Sequence, residues 1–250
     1  MVILHNHPMK SSNTFAKLIL PVAMLIAAGT SAFGNTVVLN RNTSAVNGYS
    51  GANGGGEFRA ESATLSNGAY APSVNVSATG LQVFCLETKE SFTPGASYYY
   101  TVNTGAISGD TGGNFDALSV GSAWLMTQFA KGTLAGYNYT LGALRTTEAT
   151  LLQTAFWLLE NEPASGGYTG VYNGSTYQAA VVAHFGSLAA ARADASLAQL
   201  GGVRVINLTT NADGTGWVQS QVVYVPDNSA TLALLGLGLI ALAVIRRRSV

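Results

Sequence analysis

Both ends of the chain are apolar, and this limits the independently folded part to the residues between them. Near the N-terminus, Lys10 and Lys17 precede an apolar run over 18–28, and small residues follow up to Gly34. A basic region, an apolar region of about 7–15 residues and small residues, in this order, are typical of a secretory signal peptide. We therefore predict a signal helix within a signal peptide over residues 1–34 and an exported mature chain.

The C-terminal apolar segment covers residues 230–245 and is followed directly by Arg246, Arg247 and Arg248. At about 1.5 Å of rise per residue it reaches about 24 Å as a helix, slightly less than a hydrocarbon core of about 30 Å. Arginines at the end of a span favour the cytoplasmic side. The pattern predicts a C-terminal transmembrane helix that leaves the residues before Asp227 outside the inner membrane.

A short motif precedes this segment and consists of Val225, Pro226, Asp227, Asn228 and Ser229. Motif, apolar segment and arginine cluster together resemble the PEP-CTERM class of sorting signals, in its Val-Pro-Asp-Ser-Gly (VPDSG) variant. Asn228 and Ser229 stand where that variant has Ser and Gly. The resemblance implies a sorting signal over residues 225–250, an exosortase-like membrane transpeptidase as partner, and anchoring at the inner membrane in transit to the cell surface or extracellular matrix.

Residues 35–224 form the predicted ectodomain, whose length of about 190 residues suffices for one domain with its own core. From residue 35 to Asp227 the chain holds seven Lys or Arg against twelve Asp or Glu, a net charge of −5. Nucleic-acid binding calls for clustered basic residues, so we predict no nucleic-acid partner. A charged fraction of only 10% with 29 glycines is typical of a β-rich extracellular protein.

Alternation and turn residues predict strands in both halves of the ectodomain and a glycine-rich loop over 105–114. Helical spacing predicts helices over 116–131 and 147–160, the second capped by Thr147, and an alanine-rich helix over 179–200 that breaks near Gly186. The fold class is α+β, an antiparallel β sandwich or barrel with inserted helices, besides the two terminal helices. The predicted strands cover 36–39, 73–77, 81–87, 97–102, 203–208 and 217–224.

Cys85 is the only cysteine of the chain. It cannot form an internal disulfide, so it is buried and inert, paired with another molecule, or chemically reactive. The apolar strand sequence around it favours burial, because a free cysteine often behaves as a small core residue.

Two short elements bear on this choice. Phe84, Cys85, Leu86 and Glu87 form an aromatic–Cys–apolar–acid element, and residues 152–160 read LQTAFWLLE, which contains Gln153, Trp157 and Glu160. Both resemble the signatures of thioester domains of bacterial surface adhesins. The resemblance implies that the Cys85 thiol displaces ammonia from the Gln153 carboxamide, and that an amine on a surface or matrix molecule opens the resulting thioester. Phe84, Glu87, Trp157 and Glu160 are motif neighbours without an assigned role.

The residue types suit this chemistry, because a thiolate is both a good nucleophile and a good leaving group. Gln153, Trp157 and Glu160 lie on one helical stripe beside the core stripe, so we expect Gln153 at the core boundary. The aromatic side chains of Phe84, Phe156 and Trp157 are expected to shield the bond from water.

Conventional catalysis has little support in the sequence. His184 is the only histidine after the predicted signal peptide, so neither a multi-histidine metal site nor a Ser-His-Asp triad is indicated. Asp110 and Asp116 lack the spacing of a calcium-binding EF-hand, and a solvated loop is favoured there. We expect no enzyme and no cofactor. The alternative to covalent adhesion is a non-covalent structural component of the envelope or extracellular polymer with an inert Cys85; a secreted hydrolase is disfavoured.

Overall fold

Six antiparallel strands of the computed structural model close into a barrel. The structure describes residues 36–41, 55–61, 81–107, 115–140, 142–162 and 176–225. Around the barrel the strands follow the order β1-β2-β3-β8-β7-β4, and β4 pairs with β1 to close it. Of the two predicted arrangements, an antiparallel β sandwich or barrel with inserted helices, the structure has the barrel. The barrel strands are β1 (Thr36–Arg41), β2 (Phe58–Glu61), β3 (Leu81–Cys85), β4 (Ser97–Asn103), β7 (Val203–Thr209) and β8 (Trp217–Tyr224).

In the described part of the chain, five helices and a two-stranded sheet lie between β4 and β7. The small sheet pairs β5 (Gly105–Ala106) with β6 (Asp116–Ala117). The helices are α1 (Val120–Ala130), α2 (Ala143–Leu159), α3 (Thr176–Phe185), α4 (Leu188–Ala191) and α5 (Leu197–Leu200). Among the residues described, no helix combines the length and the apolar character that crossing a membrane requires. The predicted signal helix, the strand over 73–77 and the C-terminal helix lie outside these residues.

Several predicted boundaries are wrong, each for a local reason. Helix α1 does not begin at Asp116, because Asp116 pairs with Ala106 in the small sheet, and the N-cap is Ser119. Helix α2 begins at Ala143, so Thr147 is not its cap; the Thr147 hydroxyl donates to the Ala143 carbonyl inside the helix. Strand β3 ends at Cys85 rather than at Glu87. The predicted break at Gly186 is confirmed.

Side chains from the strands contribute to two separate apolar clusters. All six barrel strands contribute to the barrel cluster, which Trp157 of α2 and Ala130 of α1 join. The helix cluster packs the helices against Phe84, Val205 and Val222 on the outer faces of β3, β7 and β8. Successive side chains of a strand point to opposite faces. Strand β3, buried at all five positions, therefore serves both clusters: Cys85 belongs to the barrel cluster and Phe84 to the helix cluster.

A buried ion pair joins the start of β2 to the first turn of α2. Glu57 is 0% exposed and Arg145 is 1% exposed. The Arg145 Nε donates to Glu57 Oε2 over 3.0 Å, its Nη2 bonds the other carboxylate oxygen, and the Tyr137 hydroxyl donates to Glu57 Oε2 over 2.8 Å. Arg145 Nη1 also donates to the Tyr139 carbonyl over 2.7 Å. The charges are thus matched and hydrogen-bonded, as buried charges must be.

Replacing Arg145 with methionine should lower the free energy of unfolding by about 3–5 kcal/mol, because it leaves the Glu57 carboxylate buried and unpaired. Urea unfolding followed by circular dichroism measures the change. Arg204→Met is the control, since Arg204 lies only partly buried and bonds backbone carbonyls, and it should cost less than about 1 kcal/mol. Glu57→Gln added to Arg145→Met should recover part of the loss. Equal losses in Arg145→Met and Arg204→Met would contradict the assignment.

Candidate functional site

The Gln153 carboxamide meets the backbone of Cys85 at both of its polar atoms. Its Oε1 accepts from the Cys85 N–H over 2.9 Å, and its Nε2 donates to the Cys85 carbonyl over 2.7 Å. Gln153 is 0% exposed, so it lies inside the protein rather than at the predicted core boundary. The structure therefore brings together the two residues of the predicted bond, which are 68 positions apart. In this arrangement the carboxamide hydrogen-bonds the cysteine backbone.

A glycine segment before β2 lies against the same carboxamide. The Gly56 N–H donates to Gln153 Oε1 over 3.0 Å, so this oxygen accepts two backbone hydrogen bonds. A Cβ atom on Gly55 would lie 2.7 Å from the Trp157 ring and 2.9 Å from Gln153 Cγ, so only glycine fits there. Gln153 and Trp157 are one helical turn apart, as predicted, and both contact this segment.

The Cys85 thiol lies in the barrel cluster and is only 1% exposed. Its sulfur accepts from Gln221 Nε2 over 3.6 Å, and Gln221 is the residue opposite Cys85 on β8. Burial raises the pKa of the thiol far above its ordinary value; the Gln221 hydrogen bond opposes this rise, and the Glu87 charge adds to it. The unreacted side chain is accordingly a neutral thiol.

The predicted aromatic shield is only partly assembled. Trp157 is in the same cluster as Cys85, and its side chain is 3% exposed. Phe84 and Phe156 instead belong to the helix cluster, where their ring centroids lie 5.1 Å apart. Side-chain alternation explains the difference for Phe84, which precedes Cys85 and so points to the other face of β3.

The two acidic motif neighbours hold the strands and helices around the site. Glu87 Oε2 accepts from the Ser220 N–H over 2.8 Å and so continues the contact between β3 and β8 beyond the end of β3. Glu160 Oε1 accepts from the hydroxyl of Ser119, the N-cap of α1, over 2.7 Å. Burial raises the pKa of Glu87 to about 8 and that of Glu160 to about 7, in both cases helped by neighbouring acids.

Sequence reasoning missed three residues of this site. Gly55 and Gly56 lie in a glycine run outside every predicted strand and helix, and Gln221 lies in a predicted strand. A signal for Gln221 was present, because Gln219, Gln221 and Val223 alternate along β8 and a buried amide in such a row needs a hydrogen-bond partner. The contact of Gly56 with Gln153 left no comparable signal, since 97 positions separate the two residues.

The other candidate ligands do not gather into a site. Within the described ranges, no group of three or more His, Cys, Asp or Glu side chains is arranged to hold a metal ion. Partial burial, followed by the charge of Asp194, raises the pKa of Asp116. Asp110 lies outside the described residues. The His184 ring stacks on Trp124 with centroids 4.6 Å apart, which is a packing contact.

The C-terminal motif places the chain among exported proteins that are sorted to the cell surface. Specifically, residues 224–249 match the family model described as the VPDSG-CTERM motif. The chain thus carries a PEP-CTERM-type sorting signal, which implies processing by an exosortase-like enzyme. Val225 is the motif residue within the described part of the chain, and its N–H donates to the Gly202 carbonyl over 2.7 Å. Strand β8 therefore leads directly into the motif.

Neither the curated proteins nor the solved structures that were searched contain a match to this chain. The resemblance to thioester domains remains a prediction, and the juxtaposition of Cys85 and Gln153 is the observation that bears on it.

Glu160→Gln should flatten the pH dependence of stability. In the native state Glu160 keeps its proton up to about pH 7, whereas the ordinary pKa of a glutamate side chain is 4.5. The unfolded chain thus binds fewer protons between these values, and the free energy of unfolding falls as the pH rises through this window, by an amount on the order of 1 kcal/mol or more. Urea unfolding at pH 4.5 to 8 measures the slope.

Asp213→Asn is the matched control for this experiment. Hydrogen bonds from Thr215 lower the pKa of Asp213, so its carboxylate is already ionised throughout the same pH window. The slope should therefore stay as in the wild-type protein. A Glu160→Gln variant with the wild-type slope would show that Glu160 does not carry the effect.

Proposed function

We propose that this chain is an exported surface or extracellular matrix protein that attaches covalently to amines through a Cys85–Gln153 thioester. The observation that carries the proposal is the pairing of the Gln153 carboxamide with both the N–H and the C=O of Cys85, over 2.9 and 2.7 Å. The Cys85 Cα lies between these two backbone groups, and the sulfur is two bonds from that Cα. The carboxamide carbon is thereby held next to the residue that would attack it.

The first step forms the thioester. The Cys85 sulfur attacks Gln153 Cδ, the Sγ–Cδ bond forms and the Cδ–Nε2 bond breaks. The thiol proton leaves with the amide nitrogen, so the products are a thioester and one ammonia. The step requires no oxidant or cofactor, because it exchanges one acyl bond for another.

The second step attaches the partner. The nitrogen of a primary amine attacks the same Cδ, a new amide bond forms, and the Cδ–Sγ bond breaks. The sulfur leaves as a thiolate and takes the proton that the amine releases. Each chain reacts once and is not regenerated, so we propose a single-use reactant rather than an enzyme. Gln153 becomes the attachment point and Cys85 returns to a free thiol.

Burial supports the required lifetime of such a bond. Cys85 and Gln153 are 1% and 0% exposed, and Gly55 lies against both Trp157 and the Gln153 side chain. Exclusion of water protects a reactive acyl group from hydrolysis until a partner arrives. The raised pKa of the buried thiol keeps the sulfur protonated before the reaction, so its proton must depart as the Sγ–Cδ bond forms.

The location follows from the sorting signal, and the route to it is part of the proposal. A chain with this signal is held at the inner membrane by its apolar C-terminal segment while the exosortase-like enzyme acts. It then reaches the surface or the matrix, where amine-bearing molecules are the proposed partners. Covalent attachment would hold the protein there after the C-terminal tail has been processed.

A non-covalent structural component is the second candidate. It is favoured by the hydrogen bonding of the intact Gln153 carboxamide, whose oxygen and nitrogen both have buried backbone partners. In that case Gln153 serves only to tie α2 to β3, and Cys85 is a core residue. Cys85→Ser would then lower stability and leave the mass and attachment unchanged.

Intact mass spectrometry of the full chain, purified in detergent without exposure to amines, tests the thioester. The wild-type mass should fall short of the sequence mass by one ammonia, after allowance for processing of the ends, because the bond releases one. Methylamine should then add to Gln153 and expose one free thiol. Cys85→Ala and Gln153→Ala should lack both the deficit and the uptake.

Gln128→Ala is the matched control, because Gln128 is also a helical glutamine but bonds Thr133 at the surface. This variant should keep the mass deficit of one ammonia and should still take up methylamine. Full mass in fresh wild-type protein, with no methylamine uptake, would exclude the thioester and leave the structural role.

Sorting is tested by Pro226→Ala combined with Asp227→Ala in a bacterium that carries an exosortase. The double variant should accumulate unprocessed in the inner-membrane fraction on immunoblots, because it removes two residues that the motif shares with its family. Asn228→Ser, which introduces the family residue, should be sorted at least as well as wild type. Normal surface delivery of the double variant would contradict recognition of the motif.

A further inference from the structure

Among the residues that the structure describes, the carbonyl oxygen of the Gln153 carboxamide receives two backbone N–H groups and no side-chain donor. The Cys85 N–H lies 2.9 Å and the Gly56 N–H 3.0 Å from Oε1. Both hydrogen bonds are buried, and they come from different parts of the chain, the end of β3 and the segment before β2. A carbonyl oxygen has two lone pairs, and here the N–H groups that approach it both come from the backbone.

Neighbouring contacts fix the position of Gly56. Its φ of +133° is a backbone conformation that only glycine adopts readily. On one side Gly55 packs against Trp157 and Gln153 Cγ; on the other, Glu57 is held by the buried ion pair with Arg145 and by Tyr137. The N–H is therefore aimed at Oε1 before any reaction begins. Donors that are fixed in advance need no reorganisation as charge develops.

Both proposed steps place negative charge on this same oxygen. Attack on Cδ, whether by the Cys85 sulfur or by an amine, moves the carbonyl π electrons onto Oε1 and gives a tetrahedral oxyanion. The charge returns to the carbonyl when the leaving group departs, as ammonia in the first step and as thiolate in the second. Backbone donors at 2.7–3.1 Å from such an oxygen stabilise the transition state.

We infer that the N–H groups of Gly56 and Cys85 form an oxyanion hole that accelerates both the formation of the Cys85–Gln153 thioester and its opening by amines. The inference rests on the proposed function, because it assigns the groups that make the Gln153 carbonyl reactive. Gly56 is thus a catalytic position that contributes only its backbone. The segment before β2 is a part of the reactive site and not merely its cover.

The test replaces Gly56 with glycolic acid by cell-free translation of the full chain in detergent. This exchange turns the N–H into an ester oxygen and adds no side chain. Excess ammonia first opens the thioester and restores the Gln153 carboxamide and the Cys85 thiol. After the ammonia has been removed, the rate of ammonia loss is followed by mass, and the rate of methylamine uptake is followed on the thioester form. Both rates should fall on the order of 100-fold, the usual cost of one oxyanion-hole donor.

A second, genetically encoded variant guards against a folding defect in the first. Gly56→Ala strains the backbone at φ +133° and displaces the N–H, so it should slow both rates. Gly142→Ala is its matched control, because Gly142 has a φ of +142° and nothing within 4 Å of an added Cβ, and it should react at nearly the wild-type rate. Near-ultraviolet circular dichroism confirms the native fold in each variant.

The outcomes separate the two proposals. Wild-type protein with the ammonia deficit and folded Gly56 variants with wild-type rates would overturn the oxyanion hole and leave the thioester standing. Wild-type protein with neither deficit nor methylamine uptake would overturn both. Slow Gly56 variants beside a fast Gly142→Ala variant support the inference.

Discussion

One buried amide group connects the three parts of this protein that have to meet. The Gln153 carboxamide is completely removed from solvent, and leaving its polar atoms without partners would cost about 1–3 kcal/mol for each group. Gln153 extends from α2, and its partners come from β3 and the segment before β2, so the amide is satisfied only when all three lie in register. The position of the helix layer on the barrel is therefore fixed by the hydrogen bonds of this amide as well as by apolar packing.

The two apolar clusters explain how adjacent residues acquire different roles. Phe84 faces the helices, where it contacts Phe129 and Phe156, whereas Cys85 faces the barrel and its sulfur contacts Gln221. In α2 the same division separates Phe156 from Trp157. Strand β3 therefore has the apolar helix cluster on its Phe84 side, whereas on its Cys85 side the polar side chain of Gln221 lies next to the sulfur. The arrangement keeps water away while it retains hydrogen-bond donors.

Local patterns predicted most of the fold, and contacts between distant residues account for what they missed. The strand alternation and the helical spacing around Gln153 depend on neighbouring residues, so they are readable in the sequence. The start of α1 was wrong because Asp116 pairs with Ala106, and β2 was not predicted because Phe58–Glu61 is short and follows glycines. The juxtaposition of Cys85 and Gln153 was expected only from a family resemblance. The Glu57–Arg145 pair, 88 positions apart, left no local trace.

The position of β8 in the closed barrel has a mechanical consequence. This strand hydrogen-bonds β3 on one side and β7 on the other, and it continues directly into the sorting motif. A pull on the C-terminal end of the domain would enter it along β8. Because the hydrogen bonds between antiparallel strands are perpendicular to the strands, such a pull loads many of them at once in shear. The strand that carries Gln221 beside the Cys85 sulfur is therefore also the one through which tension would reach the site.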